Sequence, residues 1–469
     1  MKTSRLLLAF LALQLAGCAR GREHVVPTAP MASAYKETPP GWKVAAPADV
    51  LDRGPWWMLF NDPLLDELER RVEVSNQTLA EAEARYRSAR ALVQEQRSAL
   101  FPTVDISGSG QRAQSSAGSS GFRPPASTAY RIAIGGTWEP DVWGRIRSTV
   151  TAAEASAEAS AADLAAARLS VQGELATNYL QLRNVDSLIA LLVATVDAYE
   201  EALRITQNRF DAGIAPRSDV LQAETQLASA QADLEGLDRQ RAQLEHAIAV
   251  LIGEAPGNFS LAVALQTDPV VPVVPPGIPS QLLLRRPDIA AAERRVASAN
   301  ASIGAAEAAF FPDFSLTGTY GFSGPELGRL ISASQSLWSL GLAVAQTVFD
   351  GGARTARADQ AKAEYDRTVA NYRQTALTAF GDVEDQLAAA RVLERQQELR
   401  QQASRAADEA ERLAINQYQA GRLGYADVIV AQVAAFNARR QLAQVIADRQ
   451  TSAVALIQAL GGGWSAPGK

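Results

Sequence analysis

The sequence predicts an α+β membrane protein with two internal repeats, each of which combines long helices with a pair of strands. Residues 204–253 and 412–461 align without a gap, at a constant offset that places Arg204 on Arg412. Self-similarity at a fixed period indicates a duplicated architecture. The identical pairs are Arg204/Arg412, Asn208/Asn416, Ala212/Ala420, Gly213/Gly421, Asp219/Asp427, Val220/Val428, Leu234/Leu442 and Gly253/Gly461.

Each repeat contains a helical hairpin with a sharp tip. An Ala-Gly pair ends the first helix, at Gly213 in one copy and at Gly421 in the other, and an Asp-Val pair lies in the first turn of the next helix. Glycine is the residue that most often takes the left-handed conformation closing a helix end. The tips are therefore predicted near residues 211–219 and 419–427.

Helices fill most of the remaining sequence in both halves. Residues 145–210 and 353–420 form nearly uninterrupted helical patterns, each roughly 100 Å long at 1.5 Å per residue. The shorter predicted helices are 62–101, 218–252, 288–311 and 425–460. Stacked end to end in pairs, the shorter helices match the long ones in length, so each chain should supply four helical lanes. In the helix at 353–420, small residues at heptad spacing favour close packing against neighbouring helices, and a lone coiled-coil dimer is the alternative.

Strand pairs interrupt the helices at residues 103–139 and 313–349. Apolar side chains alternate there with polar or small ones, which is the period of a strand. Aromatic residues such as Trp138 and Trp338 lie near strand ends, where membrane barrels carry aromatic girdles. A soluble sandwich is the alternative. Because four strands cannot close a barrel and lipid does not tolerate open sheet edges, strands in a membrane would require an oligomer.

The N-terminal segment is predicted to be an export signal followed by an extended arm. Residues 1–17 begin with positive charge and contain an apolar run too short to span a bilayer, as a signal peptide does. Residues 15–18, Leu-Ala-Gly-Cys, resemble a bacterial lipobox, which implies cleavage before Cys18 and acylation of that residue. An ordinary signal with a chance cysteine is the alternative. The proline-rich residues 18–61 would then be a lipidated, extended arm.

Composition sets the remaining boundaries of the chain. The first repeat is assigned to residues 62–260 and the second to residues 288–461. A proline-rich linker is predicted at 261–287 and a C-terminal tail at 462–469. Helix formation should resume at the start of the second repeat, because Pro287 is followed by an acidic residue that suits a first helical turn.

Charge and residue counts exclude several classes of protein. The formal net charge is -6 and no basic block would hold nucleic-acid phosphates, so a nucleic-acid partner is not expected. His24 and His246 lack metal-ligand spacing and are interpreted as incidental polar positions, so neither a metal nor another cofactor is predicted. With one cysteine and no histidine cluster, nothing in the sequence supports an enzyme.

Motifs along the mature chain resemble TolC-type outer-membrane efflux factors, in the lipoprotein branch that serves resistance-nodulation-division pumps. They are the lipobox, Trp56-Trp57 through Asp62-Pro63, the segment 282–289, Phe310-Phe311-Pro312 and both hairpin tips. The resemblance implies a homotrimer, with a twelve-stranded β-barrel continuous with a long helical barrel in the periplasm. Ala19 after the cysteine favours the outer membrane. The implied function is a passive exit duct for drugs or other small solutes, served by a periplasmic adaptor and an inner-membrane pump.

The same resemblance suggests roles for tip residues. Asp219 and Tyr418 correspond to a pair that links neighbouring hairpins, and Asp427 to an acidic ring at a periplasmic gate. Val430 departs from the family, where a second acidic residue often occurs, so a double ring is not expected. The residues implied in adaptor contact are Arg209, Gly213, Gly421 and Arg422. The alternative for Asp427 is structural, since a carboxylate in a first helical turn stabilises the helix by roughly 0.3 to 1 kcal/mol.

A second functional class remains open, namely a structural or adhesive coiled-coil lipoprotein without a pore. It would account for the heptads and the lipid anchor. It does not account for alternating strands with aromatic ends in both halves, so the channel interpretation is preferred.

Overall fold

A computed structural model describes residues 23–30, 32, 34–37, 55–114, 125–265, 269–274 and 285–463. Its described residues group into two compact units. Unit 1 draws on Met1–Thr28, Arg85–Ala161 and Ala291–Arg373, and unit 2 on Ala29–Ala84, Ala162–Ala290 and Gln374–Lys469. The predicted signal peptide, Cys18, most of the arm, part of the linker and most of the tail lie outside the described residues.

Helices make up most of the described chain. They are α1 (Pro63–Ser75), α2 (Gln77–Ser98), α3 (Arg145–Asp211), α4 (Arg217–Leu251), α5 (Pro287–Ala308), α6 (Ala353–Gln419) and α7 (Tyr425–Ala459). The two long helices, α3 and α6, have 67 residues each. None of the described helices combines the length and the apolar character needed to cross a bilayer.

The helix predicted over residues 62–101 is two helices, so that prediction was wrong about its continuity. Asn76 separates α1 from α2 with an extended backbone. Its side-chain oxygen accepts the amide hydrogen of Leu79 at 3.0 Å, and its side-chain nitrogen donates to the carbonyl of Leu251 at 2.7 Å. Asparagine favours such helix-capping bonds over the helix interior, which explains the break.

One antiparallel sheet is formed by the four strands of unit 1. The strands are β1 (Thr103–Ala113), β2 (Ser127–Trp138), β3 (Asp313–Gly324) and β4 (Ser336–Ala345), in the order β1-β2-β3-β4. The last strand therefore ends before Val348, which had been predicted to belong to it. Pairing of β2 with β3 joins the two hairpins, in a register that places Tyr130 opposite Gly324 and Trp138 opposite Leu316. Within the sheet, β1 and β4 each have one neighbouring strand.

The register gives this sheet two chemically different faces. Even-numbered residues share one face, as shown by the pairs Ile106/Ile134 and Tyr320/Trp338. The large apolar residues of this face that are exposed are Val104, Ile106, Ile132, Ile134, Trp138, Tyr320, Trp338, Leu340, Leu342 and Val344. Apart from Leu337, the other face is polar or small, with Ser107, Thr317 and Ser339 as examples. A continuous exposed apolar face of this kind indicates contact with lipid or another protein.

A buried ionic network fastens the segment after α4 to the helices of unit 2. Asp186 on α3 has a fully buried side chain, and it accepts from Arg183 at 2.8 Å and from Arg241 at 2.8 Å. It also accepts the backbone amide of Ala264 at 3.2 Å. The two arginines in turn donate to the carbonyls of Ala262 and Leu261. A buried charge is tolerated when it is paired and hydrogen-bonded in this way.

Glu69 on α1 is a buried carboxyl group without such partners. The residue is fully buried, and neither carboxyl oxygen has a hydrogen-bond partner in the described part of the chain. Burial raises the pKa of Glu69 to about 9, with a smaller contribution from the negative charge of Glu73. The side chain is therefore neutral at neutral pH, because ionisation would leave an unpaired charge in an apolar environment.

We expect Glu69 to make the stability of the protein depend on pH. Since the folded-state pKa lies above the ordinary value, its contribution is fully present below about pH 4.5 and is lost as the pH rises toward 9. The free energy of unfolding should fall by up to about 1.4 kcal/mol per pH unit per chain over that interval. Glu69→Leu should remove this slope, whereas Glu67→Leu, at an exposed position of the same helix, should keep it. Equal slopes in both variants, measured by denaturant unfolding from pH 5 to 9, would contradict the assignment.

Candidate functional site

The two hairpin tips of unit 2 have the same backbone geometry. At the end of α3 the amide of Gly213 donates to Phe210 and that of Ile214 donates to Arg209, both at 2.8 Å. At the end of α6 the amides of Gly421 and Arg422 make the equivalent bonds, both at 2.9 Å. The φ angles of Gly213 and Gly421 are 73° and 71°. Both tips thus end in the glycine-dependent helix cap that the Ala-Gly pairs predicted.

A small apolar cluster packs the helices of the two hairpins together near their tips. Its buried members are Ala223 on α4, Tyr418 on α6, and Tyr425 and Val428 on α7, with residues of α3 such as Leu203 packed against them. The rings of Tyr418 and Tyr425 lie 5.5 Å apart between centroids. The cluster therefore joins the first hairpin to the second within one chain.

Tyr425 is a neutral phenol in this cluster. Burial raises its pKa to about 12, and the negative charges of ionised Tyr418 and Tyr199 and of Asp219 contribute in the same direction. Asp219 thus lies close enough to affect this ring electrostatically. At physiological pH the cluster contributes packing and a hydroxyl group, and no negative charge from Tyr425.

Arg209 contacts the second tip from the end of α3. Its guanidinium carbon lies 4.6 Å from the centroid of the Tyr418 ring, in cation–π geometry. Its Nη1 atom donates to the backbone carbonyl of Tyr418 at 3.2 Å. Arg209 had been predicted only as a residue that contacts another protein, and this contact within the chain was missed.

Two buried polar atoms at this contact have no hydrogen-bond partner among the described residues. They are Arg209 Nε and the hydroxyl oxygen of Tyr418. The predicted link between Asp219 and Tyr418 is therefore not formed within the described part of one chain, and a link to a neighbouring chain stays a prediction. Unpaired buried donors lower the stability of the arrangement that holds them.

The two acidic residues of the predicted gate occupy equivalent first turns with different exposure. Asp219, near the start of α4, is partly buried and accepts from the hydroxyl of Ser218 at 3.4 Å. Asp427, near the start of α7, is exposed. Both positions suit a carboxylate because the positive end of the helix dipole lies there.

A shallow groove of about 430 Å³ lies between the N-terminal parts of α4 and α7. Its lining combines apolar side chains with amides and a hydroxyl. The lining residues are Leu221, Gln222, Thr225, Gln226, Ala426 and Ile429. Leu221 is 49% exposed, so the groove presents apolar surface to its surroundings.

The described residues contain no group of three or more histidine, cysteine, aspartate or glutamate side chains able to hold a metal ion.

His24 is not an incidental polar position, as had been interpreted from the sequence. Its Nε2 atom lies 2.6 Å from a carboxylate oxygen of Glu293 in unit 1. Arg294 and His24 together hold the pKa of Glu293 below its usual value despite burial of that carboxylate. His24 thus fastens the described part of the N-terminal arm to α5.

The chain is similar to known proteins over nearly its whole length. A family model described as outer membrane efflux protein matches residues 69–254 and 278–462. The toluene efflux pump outer membrane protein TtgC and the antibiotic efflux pump outer membrane protein ArpC, both of Pseudomonas putida, are each 33% identical over 472 residues. These alignments cover 99% of this chain and 96% of each relative. The structure of the outer-membrane channel OprN superposes with a TM-score of 0.88 at 29% identity, covering 96% of this chain and 100% of that one.

The family match includes both halves of the chain, and the relatives align over nearly all of it. The structural similarity includes the four-stranded sheet as well as the long helices, since it extends over 96% of the chain. The protein therefore belongs to the outer membrane efflux protein family.

Proposed function

We propose that this protein is the outer-membrane channel of a tripartite efflux system. It provides a passive exit duct for drugs or other small solutes, which an inner-membrane pump and a periplasmic adaptor deliver. The observation that carries the proposal is the four-stranded sheet with one exposed apolar face and a polar opposite face. An outward apolar band around a polar interior is the arrangement of a membrane channel. The names of the aligned relatives, which include an antibiotic pump and a toluene pump, support the substrate class.

The functional unit is proposed to be a homotrimer in the outer membrane. The strands β1 and β4 each have one neighbour within the sheet, so both outer edges carry unpaired backbone groups. Lipid offers no hydrogen bonds to such edges, and copies of the same chain satisfy them by pairing β1 with β4. Three copies would give a twelve-stranded barrel, and their helices would form a helical barrel in the periplasm. The superposition with the OprN channel supports this arrangement.

The tips are the proposed gate and adaptor-binding region. Three copies of Asp427 around a trimer axis would place like charges near one another and form an acidic ring. The exposure of Asp427 supports this role, because no described residue of the chain pairs with its carboxylate. Gly213, Gly421 and Arg422 form exposed turns that suit contact with the adaptor.

The protein is proposed to be exported and anchored by lipid at Cys18, after removal of residues 1–17. The lipobox-like sequence and the absence of another cysteine support this. Several acyl chains on one residue anchor a protein stably, so the arm would start at the outer-membrane surface.

We expect the purified protein to conduct ions in a planar bilayer and to run as a trimer in native mass spectrometry. Both results follow if open sheet edges are paired between copies around a polar lumen. A non-pore coiled-coil lipoprotein would show helical oligomers without single-channel steps. A stable monomer that inserts without conducting would contradict the channel.

Cys18→Ser should abolish incorporation of labelled palmitate in cells. The sulfur is the proposed acyl acceptor, and no other thiol is present in the chain. Ala19→Ser, at the adjacent position, should retain the label and serves as the matched control. Label that persists in the serine variant at position 18 would refute the lipid anchor.

Asp427→Asn should increase basal conductance and reduce block by divalent cations, because it removes the charge of the proposed ring. Asp448→Asn on the same helix should leave both unchanged. If Asp427 acts only on the helix dipole, its variant should melt slightly earlier while conductance and cation block stay at wild-type values. Bilayer recordings paired with melting curves separate these outcomes.

A further inference from the structure

The two hairpin tips have matching backbones but different side-chain contacts. The repeat offset aligns Phe210 with Tyr418 and Arg217 with Tyr425. In the first tip the guanidinium of Arg217 lies 5.7 Å from the centroid of the Phe210 ring, so that contact stays within one hairpin. In the second tip the residue equivalent to Arg217 is a tyrosine. The cation on the Tyr418 ring comes instead from Arg209 of the other hairpin.

We propose that Arg209 is a positioning residue that fixes the second hairpin tip to the first within each chain. This rests on the channel function proposed above, and it gives Arg209 a directed contact that adds to the apolar cluster joining the two hairpins. Movement of one hairpin against the other, which would change the width of an aperture built from the tips, must then break the contact with Tyr418.

The contact is directed at the end of α6. The carbonyl of Tyr418 already accepts the amide hydrogen of Gly421 at 2.9 Å in the helix cap, and Arg209 donates to the same oxygen. The carboxyl end of a helix carries partial negative charge, so a guanidinium there is favourable. Arg209 therefore touches the ring, the cap and the helix end at one residue of the partner hairpin.

The same geometry makes the contact a reversible one. Arg209 Nε and the Tyr418 hydroxyl are buried without hydrogen-bond partners in the described part of the chain. Each of these groups would gain a water partner if the hairpins separated, which offsets part of the loss of the cation–π contact. Because these gains offset part of the loss, the contact fixes the relative position of the tips and can still be broken.

The assignment differs from the two roles that the sequence suggested. If Arg209 served only to bind the adaptor, its guanidinium would not need to be engaged on Tyr418. If Tyr418 acted through its hydroxyl, removal of that hydroxyl would matter, yet the hydroxyl has no partner among the described residues. The contact that Arg209 makes uses the ring and the backbone of Tyr418, both of which a phenylalanine would keep.

The test is single-channel recording of the full-length protein in planar bilayers without adaptor, together with melting of each variant. Arg209→Gln should raise the open probability at least about tenfold, because a cation–π contact and a charged hydrogen bond are lost together. Tyr418→Leu removes the ring and keeps the backbone carbonyl, so it should raise the open probability by a smaller factor, and the double variant should be no worse than Arg209→Gln alone. Arg209→Lys should restore part of the wild-type behaviour.

A matched control makes the test specific. Arg217→Gln removes an arginine–aromatic contact that stays within one hairpin, so it should leave the open probability unchanged. Wild-type open probability in Arg209→Gln, or an equal rise in Arg217→Gln, would overturn the proposal. So would an Arg209→Gln variant that loses efflux in cells with unchanged conductance, since that is the result for an adaptor contact.

The proposal and the channel function fail in different ways. A wild-type protein that inserts without conducting would overturn the channel and this assignment with it. A conducting wild type whose gating ignores Arg209 would overturn the assignment alone.

Discussion

Pairing between β2 and β3 is the interaction on which the sheet of unit 1 depends. It joins residues 130–138 to residues 316–324, which come from different halves of the chain. An isolated two-stranded hairpin is marginally stable at best, so neither β1–β2 nor β3–β4 would persist alone. The β2–β3 pairing turns two such hairpins into one sheet with a continuous apolar face. It also determines which strands, β1 and β4, have one neighbour within the sheet.

The fit between these two strands depends on one glycine. Gly321 lies opposite Ala133 in the register. A Cβ atom at Gly321 would lie 2.3 Å from the carbonyl oxygen of Ile132 and 2.7 Å from the Cα atom of Ala133. Any larger residue would therefore push the strands apart at the centre of the sheet. Nothing in the alternating pattern of β3 marks Gly321 as different from its other glycines, because the constraint comes from a strand nearly two hundred residues away.

Local patterns predicted the local structure well. Alternation located four strands, and the repeated Ala-Gly pairs located helix caps with positive φ at Gly213 and Gly421. The family resemblance and the efflux function it implied are confirmed by the full-length relatives. The strands and helix caps are determined by short stretches of sequence, through the period of the side chains and the conformational freedom of glycine.

Features set by distant contacts were not predicted. Asn76 looks like one polar residue in a helical pattern, and its role becomes visible only with the carbonyl of Leu251 beside it. Arg209 lies on a predicted exposed tip, but its partner Tyr418 belongs to the other repeat. A hint was present, since the repeat offset leaves Tyr418 without the arginine that Phe210 has in its own hairpin. The alignment of the repeats shows that the second hairpin lacks an arginine at this position. It does not show that Arg209 of the first hairpin takes its place.

Buried polar groups in unit 2 differ in how completely they are hydrogen-bonded. Asp186 is completely buried, and its carboxylate is paired with two arginines and a backbone amide. Displacing either arginine would leave a buried charge without its partner. Glu69 is equally buried and avoids that cost by remaining protonated. Near the tips, Arg209 Nε and the Tyr418 hydroxyl lack hydrogen-bond partners among the described residues, and each gains one when water reaches it. Full pairing at Asp186 therefore resists local movement, whereas incomplete pairing makes the contact between Arg209 and Tyr418 easier to break.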